Sequence, residues 1–293
     1  MIWTVKAILA WTTQYFAKLG LDSPRVDAEL LLARVLDCNR VRLYIDQDKP
    51  LGSAELALMH KLVERRSKHE PMAYILGSKG FMNDDFLVNS DVLIPRPETE
   101  LLVEGAAKIF ANEEVKFLDI GTGSGAIAVS LAKMLPKSRA VAVDISKAVL
   151  AVAQKNAQAI AVADKITFLE SDLFSALGVE KFDLIISNPP YISADDMNNL
   201  EQDVQQEPVL ALFGGVDGLD FYRRIIANAD RYLAEEGVLA FEFGFGQGAA
   251  IQAMLQQKGF DIVKVIKDYA GIERDIFATK NGLKYADKIL ELK

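Results

Sequence analysis

Residues 117–132 read FLDIGTGSGAIAVSLA. A short apolar run enters Gly121-Thr122-Gly123-Ser124-Gly125 and passes straight into an alanine-rich apolar segment. The pattern predicts a buried strand, a tight turn and a helix in direct succession. Glycine suits such a turn because it adopts backbone angles that other residues resist and lets a ligand approach the main chain.

Moving outward, KFLDI (116–120) and RAVAVDI (139–145) bracket the helix GAIAVSLAKML (125–135). The same alternation continues through KAVLAVAQKNAQAI (147–160), KITFLES (165–171) and FDLIISN (182–188). A fifth strand, GVLAFEFG (237–244), precedes the helix GQGAAIQAMLQQKG (246–259), and residues 261–280 hold two further strands. Strands alternating with helices predict an α/β domain with a mostly parallel seven-stranded sheet covered on both faces.

Towards the N-terminus the pattern is helical. Ser23-Pro24 is a start signal, serine as N-cap and proline at the first helical position, ahead of VDAELLLARVL (26–36). Another helix is expected after Ser53, and the start MIWTVKAILAWTTQYFAKLG (1–20) reads as an amphipathic helix, not a signal peptide. From Gly77 to Glu100, glycines, asparagines and short β-rich runs predict a hairpin and linker, which Pro95 and Pro97 stiffen. The expected division is a helical domain over 1–72, a linker over 73–95, a catalytic domain over 96–280 and a tail over 281–293.

Composition narrows the partners. Among 293 residues the formal charge is -8; residues 1–90 carry 12 Lys/Arg against 11 Asp/Glu, and the remainder 21 against 30. Without a basic footprint, stable nucleic-acid binding is not expected. No apolar run reaches the roughly 18 residues of a membrane span. A lone cysteine, Cys38, excludes an internal disulfide and suits a reducing cytoplasm. With only His60 and His69 and no cysteine cluster, no metal site is expected.

The glycine turn has two readings. Asp144, 21 residues after Gly123 at the end of the second strand, is placed to accept hydrogen bonds from ribose hydroxyls. Gly121, Gly123 and Ala126 also satisfy the dinucleotide pattern G-x-G-x-x-A, so a dehydrogenase and a methyltransferase fit almost equally. Asp119 favours the second, since a carboxylate there suits the amino group of a methionine moiety and repels a pyrophosphate. Asp172, after the third strand, is a candidate acceptor for an adenine amino group, or simply a solvated turn residue.

Asn188-Pro189-Pro190-Tyr191, at the end of the fourth strand, separates the readings. Two prolines remove two backbone donors and leave an acceptor-rich surface. The Asn188 side-chain oxygen and the Pro189 carbonyl together suit a substrate NH2, and Tyr191 offers a flat face to a planar amide or base. This is chemistry for methyl transfer from S-adenosylmethionine to nitrogen, with no histidine base required.

Across roughly residues 20–280 the sequence resembles the release-factor glutamine methyltransferases, the PrmC/HemK family. The resemblance is carried by SPRVDAELLLARVL (23–36), EPMAYILG (70–77), VLIPRPETELLVE (92–104), SDLF (171–174), SNPPYI (187–192), GGVDGLDFYRRII (214–226) and GVLAFEFGFGQG (237–248), together with the glycine turn. It implies a Rossmann-like methyltransferase fold and N5-methylation of the glutamine in the Gly-Gly-Gln loop of peptide chain release factors. It further implies that Gly121, Thr122, Gly123, Ser124 and Gly125 bind the cofactor. Asp144 would take its ribose and Asp172 with Leu173 its adenine, with Asn188 touching both cofactor and substrate. Asn188, Pro189, Pro190 and Tyr191 would hold the glutamine amide, and the helical domain would dock the release factor. Arg96, Glu98 and Glu100 lie where the family's linker approaches the site. The alternative is a DNA adenine-N6 or cytosine-N4 methyltransferase, whose target amine needs the same acceptors. A dehydrogenase or a non-catalytic nucleotide-binding module explains the glycines but not Asn188 to Tyr191.

Overall fold

A computed structural model describes residues 3–280 and 284–292. It contains two units: Met1–Ser78 with Glu201–Gln206, and Lys79–Leu200 with Glu207–Lys293.

The first unit holds α1 (Val5–Lys18), α2 (Pro24–Val35), α3 (Arg40–Ile45), α4 (Ser53–Ser67) and α5 (Met72–Leu76). Pro24 opens α2 as expected, but Ser23 makes no side-chain cap bond; Thr4 does cap α1, accepting from the Ala7 N–H. The helices close on Leu9, Phe16, Leu31, Leu32, Met59 and Leu62. Two carboxylates are buried with them. Glu29 receives Arg25, Arg40 and the Tyr44 hydroxyl, and Asp27 receives Arg66 at 2.7 Å. Pairing of this kind is what lets charge remain in an apolar interior. Arg66 also binds Asp203 at 2.8 Å, an assignment of residues 201–206 that no local pattern announces.

The hairpin β1 (Ser78–Phe81) and β2 (Asp84–Leu87) follows, and the second unit begins within β1 at Lys79. Its turn residues Met82 and Asn83 both have positive φ, the geometry that matches strand twist in a two-residue loop. There follow α6 (Thr99–Ile109), β3 (Lys116–Ile120), α7 (Ala126–Met134), β4 (Arg139–Asp144), α8 (Lys147–Ala159), β5 (Ile166–Glu170) and β6 (Phe182–Ser187). Then come α9 (Val209–Leu212), α10 (Asp220–Tyr232), β7 (Leu233–Glu242), α11 (Gly248–Gln257), β8 (Ile262–Lys267), β9 (Glu273–Thr279) and α12 (Ala286–Leu290).

The seven strands order as β5-β4-β3-β6-β7-β9-β8. β5 through β7 are parallel, and β9 pairs antiparallel with both β7 and β8. Each face carries its own core: Phe117 belongs to one, while Leu118 and Ile120 belong to the other. Burial on both faces explains why these strands read as continuous apolar runs. β7 begins at Leu233, four residues before the expected start, because α10 runs directly into it.

Asn281–Leu283 lie outside the described residues, but α12 follows, and Tyr285, Ile289 and Leu292 are buried in the same core as Phe110. Those residues pack in a core of the second unit. No helix among the described residues is long and apolar enough to cross a membrane.

Candidate active site

From β3 the chain winds outward through β4 and β5, then returns to β6 on the other side of β3. The loops at the carboxyl ends of β3 and β6 diverge there, which opens a crevice at the topological switch point. A cavity of about 430 Å³ occupies it, with Gly121, Gly123, Asp144, Asp172, Leu173, Asn188, Pro189 and Pro190 in its wall.

Gly121 and Gly123 have φ of 72° and 57°, so the turn needs glycine for its backbone angles. The other three residues of the turn are not in the wall. Thr122 faces inward, donating its hydroxyl to Asp119 Oδ2 at 2.7 Å. Ser124 is buried, and its carbonyl accepts from Asn156 Nδ2 at 2.8 Å. Gly125 opens α7 and lies against Ala153 and Val129. The wall residues expected at the turn thus narrow to the two glycines whose main chain faces outward.

Asp119 departs from its expected place. It is wholly buried beneath the turn and absent from the cavity wall, and burial pushes its carboxyl up to about 7. The Thr122 hydroxyl and the Ala128 N–H in the first turn of α7 pull the other way. It therefore braces the turn from below.

Asp144 lies in the cavity wall. The Gly123 N–H donates to its Oδ2 at 3.2 Å and the Ser146 N–H to its Oδ1 at 3.1 Å. Burial raises its pKa and these N–H groups oppose the rise. Each oxygen keeps a lone pair for a diol. Asp172 is in the wall, but Arg224 Nη2 takes both of its oxygens at 2.8 Å, so an adenine amine would have to share them. Arg224 is 52 residues away and carries no local signal.

Leu173 has φ of 51°, a left-handed conformation that costs a non-glycine residue roughly 1–2 kcal/mol. Ser171 holds it there: its hydroxyl donates to the Leu173 carbonyl at 2.7 Å and accepts from the Ala176 N–H at 3.0 Å. With Ile145, Val149 and Phe221 it contributes to the apolar part of the wall. Outward-facing glycines, a strand-end carboxylate and this apolar slot together fit an adenosyl amino acid, the donor set expected for S-adenosylmethionine.

Asn188, Pro189 and Pro190 stand in the wall next to Ser187. Asn188 Nδ2 donates to Thr99 Oγ1 at 3.2 Å, which leaves the amide oxygen as the acceptor this side chain offers. Tyr191 is outside the wall. It is partly buried against the second core, and its carbonyl accepts from Gln247 Nε2 at 2.8 Å. Burial pushes its phenol up to about 12, with Glu242 adding to the rise, so it stays protonated.

The PRPETE segment divides by partner. Arg96 binds the buried Glu207 at 2.5 Å, and Glu207 also accepts from the Ile94 N–H. Glu100 accepts from the Met82 N–H at 2.9 Å. Both are structural contacts. Among the described residues no group of three or more His, Cys, Asp or Glu is placed to hold a metal ion.

The GGVDGLD block, recognised only through resemblance, has a geometric reason. Gly218 has φ of 75°, and a Cβ there would lie 2.2 Å from the Tyr191 carbonyl oxygen. Gly218→Ala is expected to displace the Asn188–Tyr191 loop and lower methyl transfer roughly 100-fold. Far-ultraviolet circular dichroism should show the sheet retained, and activity near that of the parent would refute the contact's importance.

Comparison with known proteins gives two family matches: the PrmC N-terminal domain over residues 7–77 and the methyltransferase small domain over residues 97–209. The chain is 45% identical over 274 residues to a release factor glutamine methyltransferase of Geobacter sulfurreducens, covering 93% of this chain and 95% of that one. It is 40% identical to the enzyme of the same name from Rhodopirellula baltica, with the same two coverages. In fold it is similar to a methyltransferase from Pyrococcus furiosus, with a TM-score of 0.51 at 18% identity over 68% of this chain and 90% of that one.

Proposed function

The chain belongs to the release factor glutamine methyltransferase family, and we propose that it methylates the side-chain amide nitrogen, N5, of the glutamine in the GGQ motif of peptide chain release factors. S-adenosylmethionine supplies an electrophilic sulfonium methyl group. Gly121 and Gly123 would hold it through their main chain, Asp144 through its ribose, and Leu173 and Ile145 against its adenine. Asp172 would meet the adenine with a carboxylate already shared with Arg224.

One observation supports the acceptor reading above others: the Asn188 amide nitrogen faces and donates to Thr99, which turns the amide oxygen the other way, available to a substrate NH2. An amide nitrogen is a poor nucleophile because its lone pair is delocalised into the carbonyl. Asn188 Oδ1 and the Pro189 carbonyl hold both N–H bonds and turn the lone pair towards the methyl carbon. These hydrogen bonds strengthen as positive charge builds on nitrogen, so they stabilise the transition state more than the ground state. Positioning contributes as well, up to roughly 7–11 kcal/mol for well-oriented groups. The helical unit is the natural docking surface for the release factor. A DNA amine as acceptor is not favoured, since the relatives' names specify release factors and the chain lacks a basic footprint.

The test uses methyl-labelled cofactor with an unmodified release factor, its GGQ glutamine-to-alanine variant and unmethylated duplex DNA. Label should enter the release factor and vanish in the variant. Label in DNA and none in protein would overturn the proposal.

A further inference from the structure

Behind the Asn188 wall, polar side chains form one line through the core. Asn188 Nδ2 donates to Thr99 Oγ1 at 3.2 Å, and Thr99 Oγ1 donates to Glu242 Oε2 at 2.5 Å. Asp275 lies directly opposite Glu242 in the β7–β9 ladder. Thr99, Glu242 and Asp275 are all buried, and none of them lines the cavity. Among the described residues neither oxygen of Asp275 has a hydrogen-bond partner.

A threonine hydroxyl carries one proton, and an ionised carboxylate can only accept. Facing carboxylate, Thr99 must therefore spend its proton on Glu242 and present a lone pair to Asn188. Asn188 can answer only with its N–H, so its oxygen is turned the other way. Were Glu242 protonated and donating, Thr99 would be free to donate to Asn188 Oδ1. The amide could then turn over and present N–H groups towards a substrate that itself brings N–H. We propose that ionised Glu242, acting through the Thr99 hydroxyl, is a positioning residue that fixes the direction of the Asn188 amide. This rests on Asn188 being the acceptor for the substrate amide.

The surroundings make that charge conditional. Burial is the main influence on both carboxyls, pushing Glu242 up to about 7 and Asp275 up to about 9. Neighbouring negative charge adds to it, because Asp275 faces Glu242 across the ladder and Glu98 lies at the start of α6. Arg274 on β9 is the cation that opposes these effects, and the Thr99 hydrogen bond, with the Asn188 amide close behind it, favours the ionised form of Glu242. Two phenols complete the surroundings: Tyr191, and Tyr222, whose hydroxyl donates to the Glu242 carbonyl at 2.8 Å. Both phenols are raised by burial and remain neutral. Glu242 accepts the Thr99 hydroxyl whereas neither Asp275 oxygen has a hydrogen-bond partner among the described residues, so Glu242 is the better placed of the two to hold a charge.

The experiment compares the full-length protein with Thr99→Val, Thr99→Ser and Glu242→Gln, using an unmodified release factor and S-adenosylmethionine. In the parent, kcat should rise with pH through about 7. Thr99→Val and Glu242→Gln should lower kcat about tenfold to a hundredfold, the range typical when a partner that orients a working side chain is lost. KM for the release factor should change less than about twofold, and the rise with pH should disappear. Thr99→Ser keeps the hydroxyl and should recover most of the loss, which separates hydrogen bonding from packing even if Glu242→Gln folds poorly. Without cofactor or substrate, the 1H–15N signals of the Asn188 side chain should titrate near the same pH in the parent and stay constant in Thr99→Val. Parent-like kcat in Thr99→Val, or lower kcat with the rise and the titration unchanged, would overturn the proposal. A parent enzyme that labels no release factor would instead overturn the reading on which it rests.

Discussion

Replacing Asn188 by alanine is expected to lower kcat for release factor methylation roughly 100- to 1,000-fold, the loss usual for one preorganised group facing developing charge. The side chain is half of the acceptor pair, and its partner, the Pro189 carbonyl, cannot orient both N–H bonds of an amide alone. The damage should be confined to the chemical step. Within the protein Asn188 donates to Thr99, and that hydroxyl retains Glu242 when the amide is gone. Binding of S-adenosylhomocysteine, followed by calorimetry, should therefore weaken far less than single-turnover methyl transfer falls. Asn188→Asp should also fail. It keeps an acceptor oxygen but loses the N–H that Thr99 requires, and it sets a second carboxylate against the same hydroxyl as Glu242. Transfer within about tenfold of the parent in Asn188→Ala would refute the assigned role.

The second large effect is on stability. The protein should unfold more easily at pH 9 than at pH 7, and Asp275→Asn should remove most of the difference. Asp275 is pushed up to about 9 by burial and by Glu242 beside it, against roughly 3.9 in an unfolded chain. Between those values the folded state holds a proton that the unfolded state has released. Stability from this group is fully present below the unfolded value and is lost as pH rises through the folded one. The slope reaches about 1.4 kcal/mol per pH unit for one proton, so the loss between pH 7 and 9 is on the order of 2 kcal/mol. Glu242 and Asp119, each pushed to about 7, act in the same direction below that pH and contribute little above it. An asparagine at 275 has no charge to exclude, and urea denaturation from pH 6 to 9 should show a flatter profile. An unchanged slope in Asp275→Asn would refute the assignment.

The sheet was legible because its chemistry is local. β3, β4 and β6 are buried on both faces, so each reads as an apolar run bounded by turn residues. Asp144 could be found for the same reason, since a carboxylate at the end of the strand after a glycine turn has a fixed relation to that turn. Asn188 was marked by the two prolines that follow it. Spacing alone did not reveal which residues of the glycine turn face the cavity. Thr122 and Ser124 sit among the glycines, yet the Thr122 hydroxyl satisfies Asp119 and the Ser124 carbonyl accepts from Asn156.

Other features depend on residues that only folding brings together. Arg224 takes Asp172 across 52 residues, and Glu242 meets Thr99 across 143. Leu173 reads as an ordinary apolar residue until Ser171 is seen to hold it left-handed. By itself the sequence determined the sheet, the glycine turn and the residue types available to a methyl acceptor. The tertiary structure decided the direction of the Asn188 amide. An amide carries a donor at one end and an acceptor at the other, and only a neighbour with a lone pair to offer, here Thr99, determines which end is turned inward.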